Sequence, residues 1–116
     1  MINRIYRFHG HNSLSYLFKN GKVERAELMS LKFVKSKKDD YRLSVIVSKK
    51  VSKSAVVRNR IRRRLYEIVR LERKASIQNW PYDMAITVYD EKIAGLPHED
   101  LKKQVQNLLQ KTKITN

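Results

Sequence analysis

At 116 residues the chain has room for one hydrophobic core and not for two, and a hydrophobic content of 41% separates it from disordered polyelectrolytes. Its 26 Lys and Arg against 11 Asp and Glu leave a formal charge of +15, which calls for a polyanionic partner: nucleic acid comes first, and no apolar stretch approaches the roughly 20 residues needed to cross a membrane. The lack of cysteine excludes disulfides, thiolate metal sites and thiol nucleophiles.

The N-terminal segment Met1–His11 carries Arg4 and Arg7 and no apolar run of the kind a secretory signal needs, so the chain is expected to stay in the cytoplasm. Asn12 and Ser13 are candidate helix caps, followed by Leu14, Leu17 and Phe18 at the spacing of one helical face, and Gly21 supplies a stop. So short a helix is marginal alone and must lay its apolar side on something larger.

Two strand-like runs come next, Leu28 to Val34 and Arg42 to Ser48, and the polar link Lys35 to Asp40 between them reads as a hairpin loop. From Ala55 to Lys74 the period is helical, with Val57, Ile61, Leu65 and Ile68 as the inward stripe. Tyr82 to Tyr89 alternates as a third strand, entered past Trp80, which is expected to be a partly buried plug. Beyond Gly95 and Pro97, a last amphipathic helix carries Leu101, Val105, Leu108 and Leu109.

The resulting order, αββαβα, indicates a single α+β domain over residues 1–116, a two-layer sandwich of helices on one small mixed sheet. The ends, at about residues 1–7 and 112–116, are expected to be flexible.

The densest information lies where the second strand runs into the long helix. Every charged residue from Lys49 to Arg64 is basic, and no acid follows until Glu67, so the run cannot be neutralised within its own helix. With the stripe inward, about 100° per residue places Arg58 and Arg62 on one flank and Arg60 and Arg64 on the other; Asn59, Arg63, Tyr66 and Arg70 point outward. Lys49, Lys50 and Lys53 stand by the helix N-terminus, whose free N–H groups favour phosphate.

These residues, Ser48-Lys49-Lys50 and then Ala55-Val56-Val57-Arg58-Asn59-Arg60-Ile61-Arg62-Arg63, resemble the bacterial ribonuclease P protein family, and the element order agrees along nearly the whole chain. The resemblance implies a left-handed βαβ crossover, against the general rule of handedness. It also implies an Arg-Asn-Arg helix set against a catalytic RNA subunit, with Lys49, Lys50, Lys53, Arg58, Asn59, Arg60, Arg62, Arg63 and Arg64 as the contact set. A cleft between the first helix and the sheet is implied for the 5′ leader of precursor tRNA. For that cleft, Phe18 and Lys19 match the family's pattern, Leu14 stands where many relatives have a second Phe, and Phe8 or Tyr16 could compensate.

Chemistry is expected to belong to the RNA. In-line hydrolysis of a phosphodiester needs metal-held charge at the attacking and leaving oxygens, and the sequence offers no carboxylate cluster for two metals. Mg²⁺ is therefore expected to be held mainly by the RNA subunit, with no organic cofactor and no obligate protein partner. His9, His11 and His98 lack the spacing of metal ligands, and Ser48, Ser52 and Ser54 lack the companions of a nucleophile. Asp39-Asp40 and Glu99-Asp100 read as loop and helix-start acids. Two rival classes share the charge and size: a structural RNA-binding protein of the ribosome, and a DNA-binding protein reading a major groove with Arg58 to Arg64.

Overall fold

The computed structural model describes residues 11–112. Eight elements follow in order: α1 (His11–Asn20), β1 (Lys22–Arg25), β2 (Met29–Lys35), β3 (Arg42–Ile46), α2 (Ala55–Ala75), β4 (Tyr82–Val88), a 3₁₀ turn (Glu91–Ala94) and α3 (His98–Lys111). The αββαβα reading holds with one addition, the short strand β1. Asn12 and Ser13 lie inside α1 rather than ahead of it.

The four strands form one mixed sheet in the order β1-β2-β4-β3. β2 is antiparallel to β4, and β3 is parallel to it. This corrects the hairpin expected at Lys35–Asp40: β2 and β3 are not neighbours, because β4 lies between them, and the link reverses the chain across the end of β4 instead of joining adjacent strands. The parallel pair is joined by a crossover through α2, as parallel neighbours require.

Strand alternation sorts the side chains onto two faces. Met29, Leu31, Leu43, Val45, Met84, Ile86 and Val88 join Ile61, Leu65, Ile68 and Val69 of α2, and Leu101, Val105, Leu108 and Leu109 of α3, in the main core. This is the two-layer body. Val34, Ile46 and Ala85 point the other way and meet Leu17 and Leu14 of α1, which lies on the opposite face as a partial third layer. Gly21 ends α1 through its N–H to the Leu17 carbonyl at 2.8 Å, and a Cβ there would stand 2.6 Å from that oxygen, so only glycine turns so tightly into β1.

Tyr66 departs from its outward assignment. Its ring is buried and its hydroxyl accepts the Val45 N–H at 3.2 Å, so α2 satisfies a donor on β3, which among the described residues is an edge strand. The reach of a tyrosine, rather than its angle on the helix, decides this. Trp80 is more than a partial plug: it is buried at 1% exposure with its ring 5.8 Å from that of Tyr41.

Asp40, which reads in sequence as a loop acid, is a hub. Its carboxylate accepts the Tyr41 N–H at 2.9 Å, the Trp80 N–H at 3.1 Å and the Arg73 guanidinium at 2.9 Å, tying the β2–β3 link to the end of α2 and the entry to β4. Burial alone would push this carboxyl up. The hydrogen bonds from Arg73, Trp80 and Tyr41, with the charge of Arg73, outweigh it and hold the group below the usual aspartate value.

A carboxyl lowered in the folded state stabilises the fold above its unfolded pKa and loses that contribution as pH falls through the folded value. Thermal melts from pH 7 downward should therefore show wild-type stability declining below about pH 4. Asp40→Asn should be less stable at neutral pH and lose part of that acid dependence; parallel curves for the two proteins would count against the hub.

Candidate nucleic-acid interface

The first candidate surface begins where β3 ends. The chain turns at Ser48, whose carbonyl accepts the Val51 N–H at 3.1 Å, and exposes Ser48, Lys49 and Lys50. Ser54 then caps α2, its hydroxyl accepting the Val57 N–H at 3.2 Å. Lys53 is exposed just before the cap.

The arginines of α2 divide by what they touch. Arg58 donates to the carbonyls of Ser52 at 2.9 Å and Lys53 at 3.1 Å, clamping the basic loop onto its helix. Arg62 donates to Asn59 Oδ1 at 3.0 Å and to the Val47 carbonyl at 3.3 Å, fixing the exit of β3. Arg64 reaches the carbonyls of Ile93 and Leu96, both at 2.5 Å, and holds the 3₁₀ turn and the approach to α3. Burial first and the nearby Arg60 second lower the pKa of the Arg64 guanidinium from its ordinary value.

Arg60 and Arg63 are different. Both are exposed, and among the described residues neither their side chains nor those of Lys49, Lys50 and Lys53 make a hydrogen bond or ion pair. Further along α2, Arg70 is neutralised by Glu67 at 2.5 Å, and that hydrogen bond holds the Glu67 carboxyl below its usual range. Among the arginines of α2, the uncommitted positive charge thus lies in the N-terminal half, next to the lysines of the loop before it.

The second candidate surface lies on the opposite face of the sheet, around α1. Leu17 is fully buried against the sheet, and the adjacent Phe18 keeps 42% of its surface exposed. Lys32, from the middle of β2, places its ammonium 5.3 Å from the centre of the Phe18 ring and donates to the Phe18 carbonyl at 2.6 Å. No sequence pattern singled out Lys32, because only the sheet brings β2 beneath the end of α1. Lys19 is exposed beside it, Tyr16 is exposed at 57%, and Leu14 is half-buried in the packing against Leu17. Phe8 lies outside the described residues. On the same face Arg42 forms a two-pronged pair with Asp83, both contacts at 2.8 Å.

Among the described residues no three His, Cys, Asp or Glu side chains come together, and Asp83 is committed to Arg42. No helix among the described residues is long and apolar enough to cross a membrane.

A small mixed sheet carrying a basic crossover helix on one face and a short aromatic-bearing helix on the other defines an α+β protein with two separate cationic surfaces. A family model described as Ribonuclease P matches residues 2–113. The ribonuclease P protein components of Clostridium kluyveri, 33% identical over 92% of this chain and 94% of that protein, and of Clostridioides difficile, 34% identical over 85% and 84%, are similar in sequence. The RNase P protein of Staphylococcus aureus shares the fold, with a TM-score of 0.80 at 22% identity over 96% of this chain and 98% of that one. The chain belongs to the family of ribonuclease P protein components.

The division of the arginines gives a measurable contrast. Arg64→Ala, which leaves two backbone carbonyls without their donor, should cost about 1–3 kcal/mol in a urea melt. The exposed pair Arg60→Ala/Arg63→Ala should change stability by no more than about 0.5 kcal/mol. Equal losses would remove the distinction between fold-holding and free arginines.

Proposed function

We propose that this chain assists the endonucleolytic removal of 5′ leaders from precursor tRNA by binding the catalytic RNA subunit of ribonuclease P with one surface and the leader with the other. The observation that carries the reading is the segregation of charge on α2. Arg58, Arg62 and Arg64 hold the backbone, whereas Lys49, Lys50, Lys53, Arg60 and Arg63 present uncommitted cations to the outside, with Asn59 between them. Such a set neutralises closely spaced phosphates and releases their counterions.

The leader is assigned to the α1 face. Phe18 offers a base a partly exposed ring, while Lys19 and Lys32 supply charge for the neighbouring phosphates. Lys32 also fixes the ring before any base arrives, which reduces the ordering needed on binding. Leu14, half-buried against Leu17, contributes packing under this surface rather than a second stacking face.

Water attacks the phosphorus, the bond from phosphorus to the leader's O3′ breaks, and the leader leaves with a 3′-hydroxyl while the mature tRNA keeps a 5′-phosphate; the RNA subunit would hold the Mg²⁺ that stabilises the charge on the attacking and leaving oxygens. The chain positions the two RNAs and screens their charge, working in the cytoplasm.

Reconstitution tests the assignment of the two faces. Arg60→Ala/Arg63→Ala should weaken binding of the RNA subunit at least roughly tenfold and flatten its salt dependence, without changing the preference for leader-bearing substrate. Phe18→Leu keeps most of the apolar burial and removes the aromatic face. With stacking worth about 1–3 kcal/mol per base, it should lower holoenzyme affinity for precursor tRNA roughly fivefold or more and leave affinity for mature tRNA as it was. Equal losses for both substrates would make Phe18 a packing residue. Cleavage of precursor tRNA by the chain without RNA would overturn the division of chemistry.

A further inference from the structure

Beside the last turn of α3 a cavity of about 510 Å³ opens between the ends of β1, β2 and β4. Register puts Lys22, Phe33, Lys35 and Tyr82 on the α2–α3 face, while Val34 from the opposite face and Asn20 of α1 complete the lining at the end of the sheet. Its aromatic and basic side chains are therefore on the other side of the sheet from Phe18 and Lys32, and remote in sequence from the basic loop before α2. Neither surface described above includes it.

Its chemistry is that of a nucleotide site. Phe33 and Tyr82 line it as a pair of half-buried rings, 6.1 Å apart and edge to face, a geometry in which neither ring covers the whole of the other. Lys22, Lys35 and Lys111 also line it, and all three are exposed. Lys111 spends one N–H on the Arg25 carbonyl at 3.4 Å, while the ammonium groups of Lys22 and Lys35 hold no hydrogen-bond or ion-pair partner among the described residues. One carboxylate, Glu24, joins them. The size falls in the range of about 300–1,000 Å³ usual for small-ligand sites.

We infer that this cavity binds a nucleotide of single-stranded RNA, its base against Phe33 and Tyr82 and its phosphates held by Lys22, Lys35 and Lys111. The mixture favours RNA over an acidic peptide. Three lysines would take either, but aromatic rings suit a base, and Glu24 can accept the exocyclic amine of a base while it repels a carboxylate. Asn20, the last residue of α1, stands at the rim, so the site begins about one helical turn or less from Phe18 by way of the edge of the sheet.

The test uses the full isotope-labelled chain and the RNA trinucleotide ApApA, followed residue by residue by NMR. Saturable shifts are expected at the amides of Lys22, Phe33, Lys35 and Tyr82. The triple variant Lys22→Ala/Lys35→Ala/Lys111→Ala, its fold checked in the same spectra, should weaken that binding about tenfold or more and reduce the salt slope by roughly 0.7 for each phosphate that is no longer neutralised. Tyr82→Leu should weaken it with the salt slope intact. Phe18→Leu should leave the response at these four amides unchanged, which separates this site from the leader surface whatever becomes of that assignment. Silence at the four amides while Phe18 and Lys32 respond would overturn the proposal. So would equal affinity for a hexa-aspartate peptide, or contacts from residues 113–116 to the Tyr82 ring showing that the chain's own end fills the cavity.

Discussion

β4 is hydrogen-bonded on one side to antiparallel β2 and on the other to parallel β3, and a parallel neighbour cannot be reached by a tight turn. The chain must leave β3, cross a face of the sheet and return at the end where β3 began. α2 is that crossing, and its position follows from the pairing. The loop between β3 and α2 must then lie at the C-terminal edge of β3, where Lys49, Lys50 and Lys53 stand out from the body with the first turns of α2 behind them. Because α2 and α3 occupy one face, α1 has only the other on which to bury Leu17. The separation of two cationic surfaces by the thickness of a sheet is thus a result of strand order.

A helix so rich in arginine would repel itself if every guanidinium were left to solvent. Arg58, Arg62 and Arg64 are instead directed to backbone carbonyls of the neighbouring connections, a use suited to the five N–H donors of the guanidinium. The same charges that would destabilise a bare helix hold the connections at either side of it. What remains uncommitted is a smaller, exposed set at one end.

Much of this arrangement was legible in the sequence because it depends on local period. The stripe Val57, Ile61, Leu65, Ile68 gives α2 its inward face, and the alternation Met84, Ile86, Val88 gives β4. β1 was not legible: Lys22–Arg25 holds one apolar residue, Val23, and owes its extended form to pairing with β2. The insertion of β4 between β2 and β3 is equally invisible, since nothing local to Lys35–Asp40 distinguishes a hairpin from a passage across another strand's end. For the candidate site, residue types and their rough placement could be read, but not which arginines were already spent. Lys32 beneath Phe18 and Asp40 beneath Trp80 are brought together by tertiary pairing across 14 and 40 positions of chain, beyond the reach of any short motif.

The tyrosine hydroxyl that takes the Val45 N–H has a consequence for how copies of this chain meet. An open strand edge is a template on which a second molecule can extend the sheet. At β3 the helix fills that role, with Tyr66 standing in for the absent strand. At the other edge β1 is only four residues long and sets Lys22, Glu24 and Arg25 around Val23. One side of the sheet is capped at Val45 by a side chain and the other is kept short and charged, so a protein of such high positive charge offers its own copies little to add to.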